Sequence, residues 1–239
     1  MIKVITSDER HTSDRGWIHS EFSFSFSDYE DPSNAHFGCL LAHNENILKP
    51  KQGFKKHPHH DLEIVSYVVS GTLNHTDDLG NTQELKAGTV QVMSAGTGVV
   101  HEENNPSSEE EVRFIQMWFL PDKPSELPYW QSRSFEKQDH LNALLPIVSG
   151  RGEESTLPIN QELTVYLSTL ETGNEVSLPH RENRRSHVFI ISGHIEITCG
   201  DEKLTLNPGD ATRIKKSCDL LIRGIGSECP AEFILIDMP

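Results

Sequence analysis

Residues 53–105 read GFKKHPHHDLEIVSYVVSGTLNHTDDLGNTQELKAGTVQVMSAGTGVVHEENN. Short runs rich in Val, Ile and Tyr alternate here with turn material such as Asp77-Asp78-Leu79-Gly80-Asn81, the pattern of strands joined by tight turns. It continues on both sides. Glu63–Val69, Val90–Met93, Val112–Phe119, Leu163–Leu170, His187–Ile191, His194–Thr198 and Glu232–Ile236 all read as strands, and many short strands predict an all-β sandwich or barrel. Lys137–Leu145 reads as a short helix, one of few. It precedes Ser149–Ser155, the most linker-like stretch in the chain.

The β unit is written twice. Val65-Ser66-Tyr67-Val68-Val69-Ser70-Gly71 resembles His187-Val188-Phe189-Ile190-Ile191-Ser192-Gly193, with Gly71 and Gly193 122 residues apart. Leu85-Lys86-Ala87-Gly88 is matched by Leu206-Asn207-Pro208-Gly209, with Gly88 and Gly209 121 residues apart. The order strand, turn, strand, glycine turn therefore recurs in register. The expected division is a first domain over 1–135, a linker over 136–155 and a second domain over 156–239.

Chemistry concentrates in the first copy. His57-Pro58-His59 opens one strand and is followed by Glu63, while His101-Glu102-Glu103 begins another. Strand side chains alternate faces, so 57, 59 and 63 are placed on one face, as are 101 and 103. Three imidazoles and a carboxylate, His57, His59, His101 and Glu103, can then converge on one divalent ion inside a barrel. Asp61, Glu63 and His75 compete with Glu103 for the fourth position, because Pro58 cannot join a ladder and disturbs local alternation. His11, His19, His36, His43, His60, His140 and His194 read as solvated or hydrogen-bonded side chains. By the same parity Val65, Tyr67, Met93 and Phe114 are the expected apolar walls.

The composition sets outer bounds. The 239 residues carry a formal charge of −15, which gives little driving force for sequence-independent nucleic-acid binding. No apolar run is long enough for a membrane span and the start lacks a signal-peptide core, so a cytoplasmic protein is expected. Cys39, Cys199, Cys218 and Cys229 form no CxxC pair and read as buried or incidental thiols.

The quoted segment resembles the paired motifs of the cupin superfamily, and in detail the pirin family. Gly16-Trp17, Phe22-Ser23-Phe24-Ser25-Phe26, Tyr29, Asp31-Pro32 and Phe37-Gly38 are similar to that family's entry segment. The likeness implies a bicupin of two antiparallel β-barrels (double-stranded β-helices) with one metal in the first, held by His57, His59, His101 and Glu103. It implies Fe(II) first, with Mn, Ni, Cu, Co and Zn as alternatives. Bacterial members with this ligand set are associated with quercetin 2,3-dioxygenase (quercetinase) activity, so a phenolic substrate and O2 are the expected partners, with Glu103 as catalytic base. The competing readings are a metal-dependent redox sensor that binds a protein partner, as the mammalian member is a nuclear transcription cofactor, and a Lewis-acid isomerase or hydrolase. His60 before Asp61, and Glu102 between His101 and Glu103, depart from the family pattern without removing a ligand.

Carried into the second copy by the repeat offset, the four ligand positions land on Leu178 or Pro179, His180 or Arg181, Ile222 or Arg223, and Gly224 or Ile225. That barrel is expected to hold no metal and to brace the first, leaving a monomer. Arg181, Arg184 and Arg185 read as a solvated basic edge.

Overall fold

The computed structural model describes residues 2–226 and 229–239, apart from the side chain of His180. Its strands are β1 (Ile2–Ile5), β2 (His11–Asp14), β3 (Ile18–Phe22), β4 (Leu40–Leu48), β5 (Gly53–His59), β6 (Glu63–Ser70), β7 (Thr72–Asp77), β8 (Thr82–Lys86), β9 (Thr89–Ser94), β10 (Val99–Asn104), β11 (Val112–Phe119) and β12 (Tyr129–Ser134). There follow β13 (Leu145–Ser149), β14 (Leu157–Pro158), β15 (Thr164–Leu170), β16 (Glu175–His180), β17 (Arg185–Ser192), β18 (His194–Cys199), β19 (Glu202–Leu206), β20 (Ala211–Ile214), β21 (Cys218–Ile225) and β22 (Ala231–Met238). The helix expected over Lys137–Leu145 is a single 3-10 turn, Lys137–His140, because Asn142 takes a left-handed φ of 55° and the chain then enters β13.

The chain forms two compact units, one of His11–Phe135 with Leu157–Gln161, the other of Met1–Arg10, Glu136–Thr156 and Glu162–Pro239. The units differ from the expected division at three places, the first being that the expected linker over 136–155 is part of the second unit, where β13 pairs with β15. β1 adds to the edge of β20, with Ile2 and Val4 packed on the second unit's core, and the Ser7 N–H donates to Asp210 Oδ1 at 2.8 Å. Residues 157–161 belong instead to the first unit, where Asn160 N–H donates to Glu63 Oε2 at 3.1 Å.

The duplication is visible in the pairing. In the first unit the larger sheet runs β12-β9-β6-β11-β4-β3-β2 and the smaller β5-β10-β7-β8. In the second, β20-β17-β22-β15 repeats β9-β6-β11-β4, flanked by β1 and β13, and β16-β21-β18-β19 repeats the smaller sheet. The fold is all-β and of cupin type, but each expected barrel is an open sandwich. The chain changes sheets through turns, at Asp61 (φ 47°) and Gly71 (φ 77°), rather than through strands that bend around a corner.

The two cores differ in chemistry. That of the second unit is continuous and aliphatic, with Val188, Ile190, Ile197, Leu220, Ile222 and Leu235 all fully buried. It contains a Cys199–Cys218 disulfide, which corrects the reading of those residues as thiols; β18 and β21 bring their Cα atoms to 5.6 Å, a pairing set by the ladder and invisible in the spacing. Cys39 is half-buried and Cys229 exposed. In the first unit the core is split into separate clusters around Phe114 and around Ile64 and Met93, with polar residues between the sheets. Among the described residues no helix is long and apolar enough to cross a membrane.

Candidate metal centre

The smaller sheet of the first unit gathers the ligand candidates. β10 pairs with β5 on one side, His101 opposite His57 and Val99 opposite His59, and with β7 on the other, His101 opposite Asp77 and Glu103 opposite His75. A bulge between the His101–His57 and Glu103–Phe54 pairs lets three residues of β5 span two of β10, which re-aims the His57 end of that strand. Donor atoms of His57, His59 and His101 lie within 4.8 Å of one another, and so do those of His75, His101 and Glu103. His101 belongs to both trios.

Hydrogen bonds orient these rings. His57 Nδ1 lies 2.7 Å from the Lys55 carbonyl, so its proton sits there and Nε2 presents a lone pair. That Nε2 faces His101 Nε2 at 3.1 Å. The Nδ1 atoms of His101 and His75 are buried and lack a hydrogen-bond partner. Burial, reinforced by the neighbouring rings His101 and His57, holds His59 down to about 4. Burial followed by the charges of His57 and His75 holds His101 down to about 3. Both imidazoles are therefore neutral and ligating at ordinary pH. Two facing nitrogens, an orphaned ring atom and an adjacent carboxylate suit a divalent cation of the first transition row, so the residues present fit the metal.

Glu103 is held from both sides. Gln91 Nε2 donates to its Oε1 at 2.5 Å and Gln116 Nε2 to its Oε2 at 2.8 Å. Each glutamine is in turn oriented by an indole, because Trp130 Nε1 donates to Gln91 Oε1 at 2.8 Å and Trp118 Nε1 to Gln116 Oε1 at 3.0 Å. An indole only donates, so the amide oxygens must face the tryptophans and the NH2 groups the carboxylate. The same indoles touch the histidines: Trp130 stacks on His75 at 4.9 Å and Trp118 meets His59 edge-on at 5.1 Å. These four residues escaped the sequence reading. The usable signal was a lone Gln inside otherwise apolar runs, Val90–Met93 and Phe114–Met117.

The other candidates for the fourth position separate. Asp61 accepts the Ser125 N–H at 2.6 Å, in a turn. Glu63 starts a different strand in the larger sheet and accepts from Ser94 Oγ at 2.6 Å and from Asn160 N–H, so face parity with His59 does not carry across residues 60–62. His75 stays beside the centre, with Nε2 3.2 Å from Asp77 Oδ2.

A cavity of about 210 Å³ opens beside the histidines, bordered by His57, Glu103 and Gln116 and walled by Trp17, Ile18, Phe22, Phe26, Phe54 and Trp118. The walls expected at Val65, Tyr67, Met93 and Phe114 are not among its lining residues. Phe114 and Met93 fill the two apolar clusters, and Val65 and Tyr67 share the opposite face of β6 with Glu63. Parity put Phe114 and Met93 on the face of Gln116 and Gln91 though not at the cavity, and, carried across residues 60–62, put Val65 and Tyr67 on the wrong face.

In the second unit the register equates His57, His101, Glu103 and His75 with Leu178, Leu220, Ile222 and Ile197, none of which has a donor atom. His180 aligns with His59, but its side chain lies outside the described residues. Arg184 is no solvated edge, since it pairs with Asp237 at 2.9 Å and Glu162 at 3.3 Å.

Comparison with known proteins places this geometry. The Pirin profile matches residues 5–119 and that of the quercetinase C-terminal cupin domain residues 146–238. A Zymomonas mobilis protein provisionally named a quercetin 2,3-dioxygenase is 40% identical, covering 83% of each chain. The quercetin 2,3-dioxygenase of Escherichia coli K12 is 30% identical over 100% of this chain and 99% of its own. The crystal structure of the E. coli bacterial pirin YhhW in complex with nickel(II) superposes with a TM-score of 0.92 at 30% identity, covering 100% of this chain and 99% of that one.

Proposed function

This chain belongs to the pirin family, and on that premise we propose that it is a metal-dependent dioxygenase that cleaves a flavonol such as quercetin with O2. The observation that carries this reading is one cavity whose border joins aromatic walls to two of the residues, His57 and Glu103, that would hold the metal. In this reading His57, His59, His101 and Glu103 hold it. A redox-active divalent metal there, Fe(II) before Mn, Ni, Cu or Co, would supply the electron exchange between flavonol and O2 that singlet products require, which redox-inert Zn would not.

The remaining work belongs to the side chains. Flat walls at Trp17, Phe54 and Trp118 take the apolar body of the flavonol and exclude water from it. Glu103 accepts the proton of the 3-hydroxyl on a carboxylate lone pair that the Gln91 and Gln116 amides leave free. The products are a depside and carbon monoxide.

The test is anaerobic reconstitution with Fe(II), Mn(II), Ni(II), Cu(II) or Co(II), then admission of O2 with quercetin decay and carbon monoxide followed together. Turnover with at least one metal, lost in His59→Ala and His101→Ala, is expected. Absence of turnover with every metal, or decay that persists in both variants, refutes the proposal.

A further inference from the structure

The inner face of the larger sheet carries an unbroken row of polar residues, where its duplicate is apolar at the two central positions. Register places Asn44 on β4 beside Gln116 on β11, Gln116 beside Ser66 on β6, and Ser66 beside Gln91 on β9. All four are buried. In the second unit the equivalent row is Tyr166, Leu235, Val188 and Thr212, with Leu235 and Val188 in the aliphatic core. A sandwich of this topology therefore packs with aliphatic side chains at the centre of the row, and burying polar groups there costs stability unless each is satisfied.

Three of the four are accounted for. Gln91 and Gln116 hold Glu103, and Ser66 Oγ lies 3.4 Å from Gln116 Nε2. Asn44 is not. It is 2% exposed, it borders the cavity, and its Oδ1 has no hydrogen-bond partner. Its neighbour along the strand, Asn46, also borders the cavity but accepts from Ser20 Oγ at 2.8 Å. A buried amide oxygen without a partner, on a residue that borders the cavity, has the chemistry to accept a hydrogen bond from a ligand hydroxyl that reaches it.

We propose that Asn44 is a specificity-determining residue that accepts a hydrogen bond from a ring hydroxyl of the substrate, other than the hydroxyl that meets the metal. The assignment rests on the phenolic-substrate reading above and narrows it to aromatic compounds with at least two hydroxyls. Sites that hydrogen-bond a substrate hydroxyl discriminate strongly against analogues lacking it, because the site's own polar atom is then left desolvated and unpaired.

The experiment is anaerobic binding to the metal-loaded protein, read by quenching of tryptophan fluorescence, since Trp17 and Trp118 line the cavity. The probes are quercetin and 3-hydroxyflavone, which keeps the 3-hydroxyl and lacks the others. Wild type is expected to favour quercetin by about tenfold or more, the worth of one such bond. In Asn44→Leu that ratio is expected to fall toward one while the melting temperature of the ligand-free protein is unchanged or raised, because no protein hydrogen bond to Oδ1 is lost. A merely structural Asn44 would instead lower the melting temperature and leave the ratio alone. Should Asn44→Leu not fold, Asn44→Ser, which shortens the side chain but keeps it polar, is judged by the same ratio. A ratio retained in the folded variant overturns the assignment while leaving the dioxygenase reading intact. Failure of wild type to bind either flavonol overturns both.

Discussion

Gln91 is the residue through which the clamp on Glu103 can be measured. It is 2% exposed, takes the Trp130 indole N–H on its oxygen and gives its NH2 to Glu103. Gln91→Leu removes a bond to a carboxylate, worth about 1.5–3 kcal/mol, and leaves the indole N–H unpaired at a further cost of about 1–3 kcal/mol. Leucine recovers part of this by burying apolar surface, so a net loss of about 3 kcal/mol is expected. Trp130→Phe keeps an aromatic ring against His75 and deletes the N–H. Its cost has a hydrogen-bond part of about 1 kcal/mol and a packing part from the smaller ring. Made on top of Gln91→Leu, the same change removes an orphaned donor instead of a bonded one, so the hydrogen-bond part reverses sign. The packing part is common to both backgrounds and cancels. The double-mutant cycle should therefore show coupling of about 1–2 kcal/mol. All three tryptophans lie in the first unit, so urea unfolding of metal-free protein followed by their fluorescence reports that unit. Coupling below about 0.5 kcal/mol, the range of independent sites, would refute the relay from indole to amide to carboxylate.

His101→Ala removes the ring shared by both donor trios and should weaken metal binding by more than about 100-fold, beyond the loss typical of a supporting partner, measured by competition with a chelator and by bound metal per chain. Glu103→Gln should lose affinity comparably if the carboxylate is the fourth ligand; an unchanged affinity returns that position to His75. In the second unit, burial holds the His140 imidazole below its ordinary value of 6.5, opposed by the charges of Glu232 and Asp139. The folded state then binds fewer protons than the unfolded one, so stability is full above 6.5 and is lost as pH falls from there through the lower folded value. His140→Gln should flatten that acid limb in melting curves, and an unaltered limb would assign it to other groups. Reduction of the Cys199–Cys218 bridge, whose cysteines are 19 residues apart, should destabilise the second unit by about 3 kcal/mol on the chain-entropy account. Melting with and without a phosphine reductant, compared with Cys218→Ser, measures it.

How much of this was legible beforehand depends on the range of the interaction concerned. Alternation along single strands placed His57 with His59 and His101 with Glu103, and the repeated strand–turn–glycine grammar disclosed the duplication, because both are written in the chain's own local periodicity. Across a turn that logic failed. Glu63 was placed with His59 although residues 60–62 carry the chain from one sheet to the other, so Val65 and Tyr67 fell on the opposite face of β6, while Met93 and Phe114 pack into apolar clusters instead of the cavity. Which strands meet, and in what register, is fixed by pairings between residues far apart in sequence. Only those pairings could put His75 beside Glu103, join Cys199 to Cys218, give β1 to the second unit, and leave Asn44 Oδ1 buried without a partner beside the cavity. The donor chemistry was thus local and readable, whereas the chamber around it is the product of strand register.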